Sequence, residues 1–442
     1  MHTTTITNRT PLREISLEDI ARLSRERPVW LRVGRVIDGT SDAPLRDADV
    51  VFDATSIRFV GRDPGREHLC DGQGAPDATL PHATLLPCLI EAHAHLFLDG
   101  APVCFDDRER YLKETTPDAM LARARSRWPK VLQCGVGAVR DAGDKYAVGL
   151  ALAAEAKQHV GRLAPTPYID SPGAAIHHRG RYGSFMGQPL EDFTTPEACV
   201  AARVAGGADR IKLLVSGIIN FKEGKVITPP QLTVDEVKAL VTAARSYGKQ
   251  TFAHASGQDG VENSIEGGVN TVEHGFFITE HQLARMRDRR IAWVPTFAPV
   301  QLQIDRASEL GWDDVVVGHL KRIIESHQRM LRRAHEMGVP IVAGSDAGSC
   351  GVPHGIGFID ELVHMERAGL PPMAVLRAAT GASAETLAFP QKIGRVAPGC
   401  RSRFILTTHD PLVTVANLRR EKTVLFDAAA VTCPDEMDPE GL

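Results

Sequence analysis

The apolar residues of this chain follow three successive rhythms. Residues 29–33, 48–52 and 56–60 are short strand-like runs, separated by Gly, Asp and Pro turns. They follow a polar start and a short helix predicted over 16–25, where Ser16 and Asp19 form a weak capping signal. From about 87 to 390, strand and helix periods alternate. The strands are expected at 85–95, 138–141, 168–171, 210–216, 251–254, 271–274, 291–296 and 340–346. Helical stretches between them include 233–247, 260–266 and 279–289. Beyond 390, residues 403–407 and 422–426 return to short strands, before a Pro/Asp/Glu-rich tail from Pro434. Eight strands alternating with helices predict an α/β fold, a (β/α)8 TIM-like barrel over 87–390. Residues 1–86 and 391–442 would supply a small β-sandwich domain built from both termini.

Composition narrows the function classes. The chain has 442 residues, 43% hydrophobic, which suffices for one large barrel core. The net charge of −4 and the lack of a basic cluster exclude nucleic acid and membrane surfaces as expected partners. Eight cysteines (Cys70, Cys88, Cys104, Cys134, Cys199, Cys350, Cys400 and Cys433) are scattered without a C-x-x-C, so a sulfur-bound zinc site is not expected. They read as buried thiols of a reducing compartment. Residues 1–10 lack an apolar signal core and no apolar run approaches membrane-spanning length. The cytoplasm is the expected location.

Chemistry concentrates where the predicted strands end. His93 and His95, spaced i, i+2, project to one side of a strand and can grip one metal ion. Lys212 lies within the fourth strand, His254 ends the fifth, His274 the sixth and Asp346 the eighth. Taken singly, each has a bland explanation. A lone histidine at a strand end is more often hydrogen-bonded structure. Lys212 could point to water, and Asp346 could cap the next helix. Together, these side chains fall at the end of the strands where barrel active sites form.

With these segments the chain resembles the amidohydrolase superfamily over residues 29–431. The likeness is carried by Leu86-Pro87-Cys88-Leu89-Ile90-Glu91-Ala92-His93-Ala94-His95 and Val139-Arg140-Asp141-Ala142-Gly143. Further on, Ala253-His254-Ala255, Val272-Glu273-His274-Gly275, Gly344-Ser345-Asp346-Ala347-Gly348, Pro353-His354-Gly355 and Thr380-Gly381-Ala382-Ser383-Ala384 match later motifs. The branch it looks most like holds imidazolonepropionase-like enzymes, Xaa-Pro and Xaa-Arg dipeptidases, ochratoxin amidase, and phenylurea and thiocarbamate herbicide hydrolases. Departures are Cys88-Leu89-Ile90-Glu91 for Gly-Leu-Ile-Asp, Arg403 for a common Asp, and Gly217-Ile218 for Gly-Gly. In addition, Ala175-Ile176-His177-His178-Arg179-Gly180 stands where Gly-Gly-His-Gly is frequent. The glycine motifs line the family's substrate pocket, so the resemblance does not fix the substrate.

The resemblance implies a hydrolase of C–N bonds in an amide, peptide, urea or carbamate. His93, His95 and Asp346 would hold one metal, His254 and His274 a second, and a carboxylated Lys212 would bridge them. Imidazole and oxygen ligands suit Zn2+, with Co2+, Mn2+ or Fe2+ as substitutes. A metal-held hydroxide would attack, with Asp346 as base and His274 beside it as a further catalytic group. His178, His177 and Tyr182, after the third strand, are the candidate substrate-binding residues; His354 is expected to order the loop after the eighth strand. A small-molecule substrate and a homo-oligomer are expected. The alternatives are a mononuclear hydrolase or deaminase, an ester or lactone hydrolase, and a catalytically dead binding scaffold. Lys212 argues against a deaminase, since superfamily deaminases generally lack that lysine. The full set of ligand positions argues against a dead scaffold.

Overall fold

The apolar run at 85–95 is divided between two sheets. In the computed structural model, which describes residues 16–158, 166–390, 392–427 and 429–433, the strand Ala78–Pro87 ends in one sheet and Leu89–Ala94 opens another. Cys88 donates its N–H to the Arg403 carbonyl on one side, while Leu89 donates to Gly135 on the other. One continuous strand was expected. Both halves are fully buried next to the break, so no polar alternation marks it. The polar start before Ser16 and the tail from Pro434 lie outside the described residues.

The first sheet joins the two ends of the chain. Its seven strands run in the order Ala429–Cys433, Lys422–Phe426, Arg403–Thr407, Ala78–Pro87, Val29–Val36, Leu45–Phe52, Ile57–Gly61. Val29–Val36 pairs in parallel with Ala78–Pro87 and antiparallel with Leu45–Phe52. A separate core including Leu31, Val50, Leu85 and Phe404 covers it. Phe52 meets Phe404 edge-on at 4.9 Å between ring centres. The predicted helix at 16–25 is Leu17–Leu23, with Ser16 accepting from the Asp19 N–H as its cap.

The site is built on two parallel sheets. One contains Leu89–Ala94, Val136–Asp141 and Tyr168–Asp170. The other runs Ala292–Val294, Thr271–His274, Thr251–Ala255, Ile211–Leu214, Ala175–His177, Gly187–Pro189. Their strands are buried on both faces, which is why they read as continuous apolar runs. Residues 341–347 connect the sheets: Val342 donates to Trp293, and the Asp346 N–H to the His93 carbonyl. This segment pairs only in patches, although a strand was expected. Gly344 has no room for a Cβ, which would sit 2.9 Å from the His93 nitrogen, and Asp346 has φ +59°. On the far side, Arg210 reaches Asp170 at 2.6 Å.

The helices follow their sequence signals. Val234–Ser246 and Glu280–Arg289 start with capping boxes from Thr233/Glu236 and Thr279/Gln282. Gln258–Gly267 stops at Gly268, which takes the left-handed conformation. Among the described residues no helix is long and apolar enough to cross a membrane.

Candidate metal centre

The ends of the parallel strands bring four imidazoles together. The His93 ring lies 5.6 Å from His95 and 4.9 Å from His274, which in turn lies 4.6 Å from His254. The Asp346 Oδ1 is 3.5 Å from the Nε2 atoms of both His93 and His95. Among the described residues these three form a group whose ligand atoms all lie within 4.8 Å of one another. Lys212 is 1% exposed, its Nζ 4.6 Å from the centre of the Phe252 ring.

Each imidazole has one nitrogen committed to the protein. Nδ1 of His93 meets Glu273 at 2.6 Å, Nδ1 of His95 the Gly143 carbonyl at 3.3 Å, and Nδ1 of His274 the Thr296 hydroxyl at 2.8 Å. Nε2 of His254 meets the Gly217 carbonyl at 3.3 Å. Such bonds fix the tautomer and leave the second nitrogen as a ligand. Glu273 is itself held by Arg140 at 2.8 Å, and both are buried. Glu91, at the place of the usual Asp, accepts from the N–H groups of His93 and Ser345 and from the Ser345 hydroxyl. It therefore braces the first and last ligand segments.

Burial dominates the electrostatics. It holds His95 and His254 down to about 3, with the Lys212 charge acting in the same direction. His93 and His274 lie well below the usual imidazole range for the same leading reason. Burial lowers Lys212 to about 8 and raises Asp346 to about 7. Four neutral imidazoles are the protonation state a metal requires. His93 Nε2, Lys212 Nζ and Asp346 Oδ1 are buried without a hydrogen-bond partner among the described residues. Orphaned buried polar atoms are costly, and a divalent cation would supply the missing partner of the His93 nitrogen and the Asp346 oxygen. The residues present fit a metal.

Backbone strain collects at the same place. His274, Thr296 and Asp346 have φ of +66°, +53° and +59°. Non-glycine residues in the left-handed region cost energy and cluster at functional sites. Here the conformation turns side chains at the ends of strands into a shared cavity.

That cavity, of about 110 Å³, is lined by His254, His274 and Asp346 beside Tyr182. His177 and His178 are not among its lining residues. His178 is held between Glu191 at 2.8 Å and Glu236 at 3.0 Å, and the Nδ1 of His177 meets the His178 carbonyl. Both ring nitrogens of His178 are thereby occupied, so of the loop candidates only Tyr182 faces the cavity. His354 bonds the Leu98 carbonyl at 3.0 Å, in keeping with a loop-ordering role. Sequence reasoning did not single out Glu273, Arg140, Thr296 or Arg108. Glu273 and Arg140 carried a usable signal: each is a charged residue inside an apolar strand.

The model of the Amidohydrolase family matches residues 84–429, and the chain belongs to that family. An uncharacterized protein of Mycobacterium tuberculosis and another of Mycobacterium bovis are each 29% identical over 213 residues, 48% of this chain and 56% of theirs. The chain thus spans about half the length of the curated relatives it matches. A solved Xaa-Pro dipeptidase with methionine in its active site superposes with TM-score 0.75 at 25% identity, covering 92% of this chain and all of that one. Ochratoxinase of A. niger gives 0.73 at 21% identity, covering 92% and 96%. Molinate hydrolase gives 0.70 at 18% identity, covering 94% and 96%. These last two likenesses are of fold.

Proposed function

We propose that this chain is a metal-dependent hydrolase that cleaves a C–N bond of a small amide, peptide, urea or carbamate. The observation that carries the reading is the convergence of His93, His95, His254, His274, Lys212 and Asp346, three of them with an orphaned buried atom, beside one cavity. The proposed scaffold is a (β/α)8 barrel at 87–390. The patchwise pairing of residues 341–347 to both parallel sheets supports it. The flanking sheet would form a second domain from both termini.

In this reading His93, His95 and Asp346 would hold one Zn2+ and His254 and His274 a second, with Lys212, as a carbamate, supplying a further anionic ligand. A buried amine with no hydrogen-bond partner and a lowered pKa is suited to take up carbon dioxide. When bound, such metals make water more acidic and polarise a carbonyl. The chain's own residues do the rest. Asp346 takes a proton from the attacking water on its carboxylate and hands it to the leaving nitrogen. His274, fixed by Thr296, stands beside it. Tyr182, next to the His254 ring at 5.1 Å between ring centres, borders the substrate.

Metal-depleted and zinc-reconstituted protein, tested on dipeptides, N-acyl amino acids, aryl carbamates and phenylureas, checks this. Two zinc ions per chain and zinc-dependent amine release are expected. Failure to bind metal and to release amine would overturn the reading. A mononuclear hydrolase is the second reading, favoured by the tight His93–His95–Asp346 trio. One zinc per fully active chain would select it.

A further inference from the structure

Arg108 lies on the helix Phe105–Glu114, which follows the strand carrying His93, and it lines the cavity beside Asp346. It is the only arginine or lysine among the lining residues. Its guanidinium packs on two rings, 4.7 Å from the centre of Phe185 and 5.0 Å from that of Phe105. Aromatic contacts cover the faces of a guanidinium and leave its N–H edge for hydrogen bonds. Nε of Arg108 is nevertheless buried without an acceptor among the described residues. The remaining wall is largely apolar, with Ile218, Phe221, Phe276 and Val300.

An oriented, aromatic-braced cation that lines the cavity and has no hydrogen-bond or carboxylate partner among the described residues lacks one thing, an oxyanion. We propose that Arg108 holds a carboxylate of the substrate, so that the cavity selects N-acyl amino acids bearing an apolar group. The proposal rests on the C–N hydrolase reading for the bond that is cut. A single guanidinium in a largely apolar wall matches a monoanion. Arg108 acts as a specificity residue that touches the substrate away from the scissile bond.

The test uses the zinc-loaded full chain and a pair of probes that differ only by the carboxylate, N-acetylphenylalanine and N-acetyl-2-phenylethylamine. Cleavage is read as the kcat/KM ratio of the pair, and binding of each is read by calorimetry. The wild type is expected to favour the acid. Arg108→Gln should shrink that preference by roughly ten- to hundredfold, the usual worth of a hydrogen bond to a charged group. Arg108→Lys, which keeps the charge, should retain part of it. Equal handling of both probes by the wild type, or an undiminished preference in Arg108→Gln, overturns the proposal. If neither probe is cleaved, the C–N hydrolase reading is weakened, and the calorimetric preference still decides the role of Arg108.

Discussion

Glu273→Gln tests the support beneath the metal site. Glu273 accepts from the His93 Nδ1 at 2.6 Å and pairs with Arg140 at 2.8 Å, all three side chains being 1% exposed or less. Glutamine keeps the shape and can still accept from His93. It removes the charge and leaves the Arg140 guanidinium buried without a counterion. Breaking one side of a buried pair costs about 3–5 kcal/mol. Losing the carboxylate behind a ligating histidine lowers metal affinity by about 10–100-fold. Urea denaturation of metal-free protein measures the first effect, and chelator competition the second. The double variant Arg140→Met/Glu273→Gln separates them. Removing the orphaned cation should restore at least half of the stability while leaving metal affinity low. Arg140 also donates to the Ala92 carbonyl at 2.6 Å, so full recovery is not expected. A single variant within about 1 kcal/mol of wild type, with unchanged zinc affinity, would refute the reasoning.

Other outcomes follow from the same geometry. Asp346→Asn should lower kcat by about 10²–10⁴-fold, beyond any loss of metal content, the usual worth of general acid–base catalysis; full activity with normal zinc content would remove Asp346 from the proton path. Lys212 should take up carbon-13 from labelled bicarbonate, giving a carbamate signal that vanishes in Lys212→Ala; a signal unchanged in the variant would assign it to another group. Glu361 is buried, accepts from the Ala298 N–H at 2.8 Å, and is pushed up to about 8 chiefly by burial. Its folded value lies above the ordinary 4.5, so the folded state prefers the protonated acid. That contribution is intact below about pH 4.5, costs about 1.4 kcal/mol per pH unit up to about pH 8, and is level above. Glu361→Gln should therefore gain stability relative to wild type as pH rises across that window; parallel stability profiles would sink the assignment.

The chain alone determined the alternation of buried strands and capped helices, because parallel strands covered on both faces read as apolar runs and Thr233 and Thr279 announce their helices. It also marked six polar side chains within or just after the expected strands, since a histidine, lysine or aspartate interrupting or closing an apolar run is visible without coordinates. It did not reveal that residues 85–95 serve two sheets, as burial on either side of Cys88 is the same. Nor could it show that both nitrogens of His178 are taken by Glu191 and Glu236, the second of which lies 58 residues away. Only the tertiary structure set Glu273 behind His93, 180 residues apart, and brought Arg108 to the cavity with its Nε unpaired. The physical reason is range. Periodicity and capping act between neighbours in sequence, whereas the partner of a buried charge is chosen by packing across the fold.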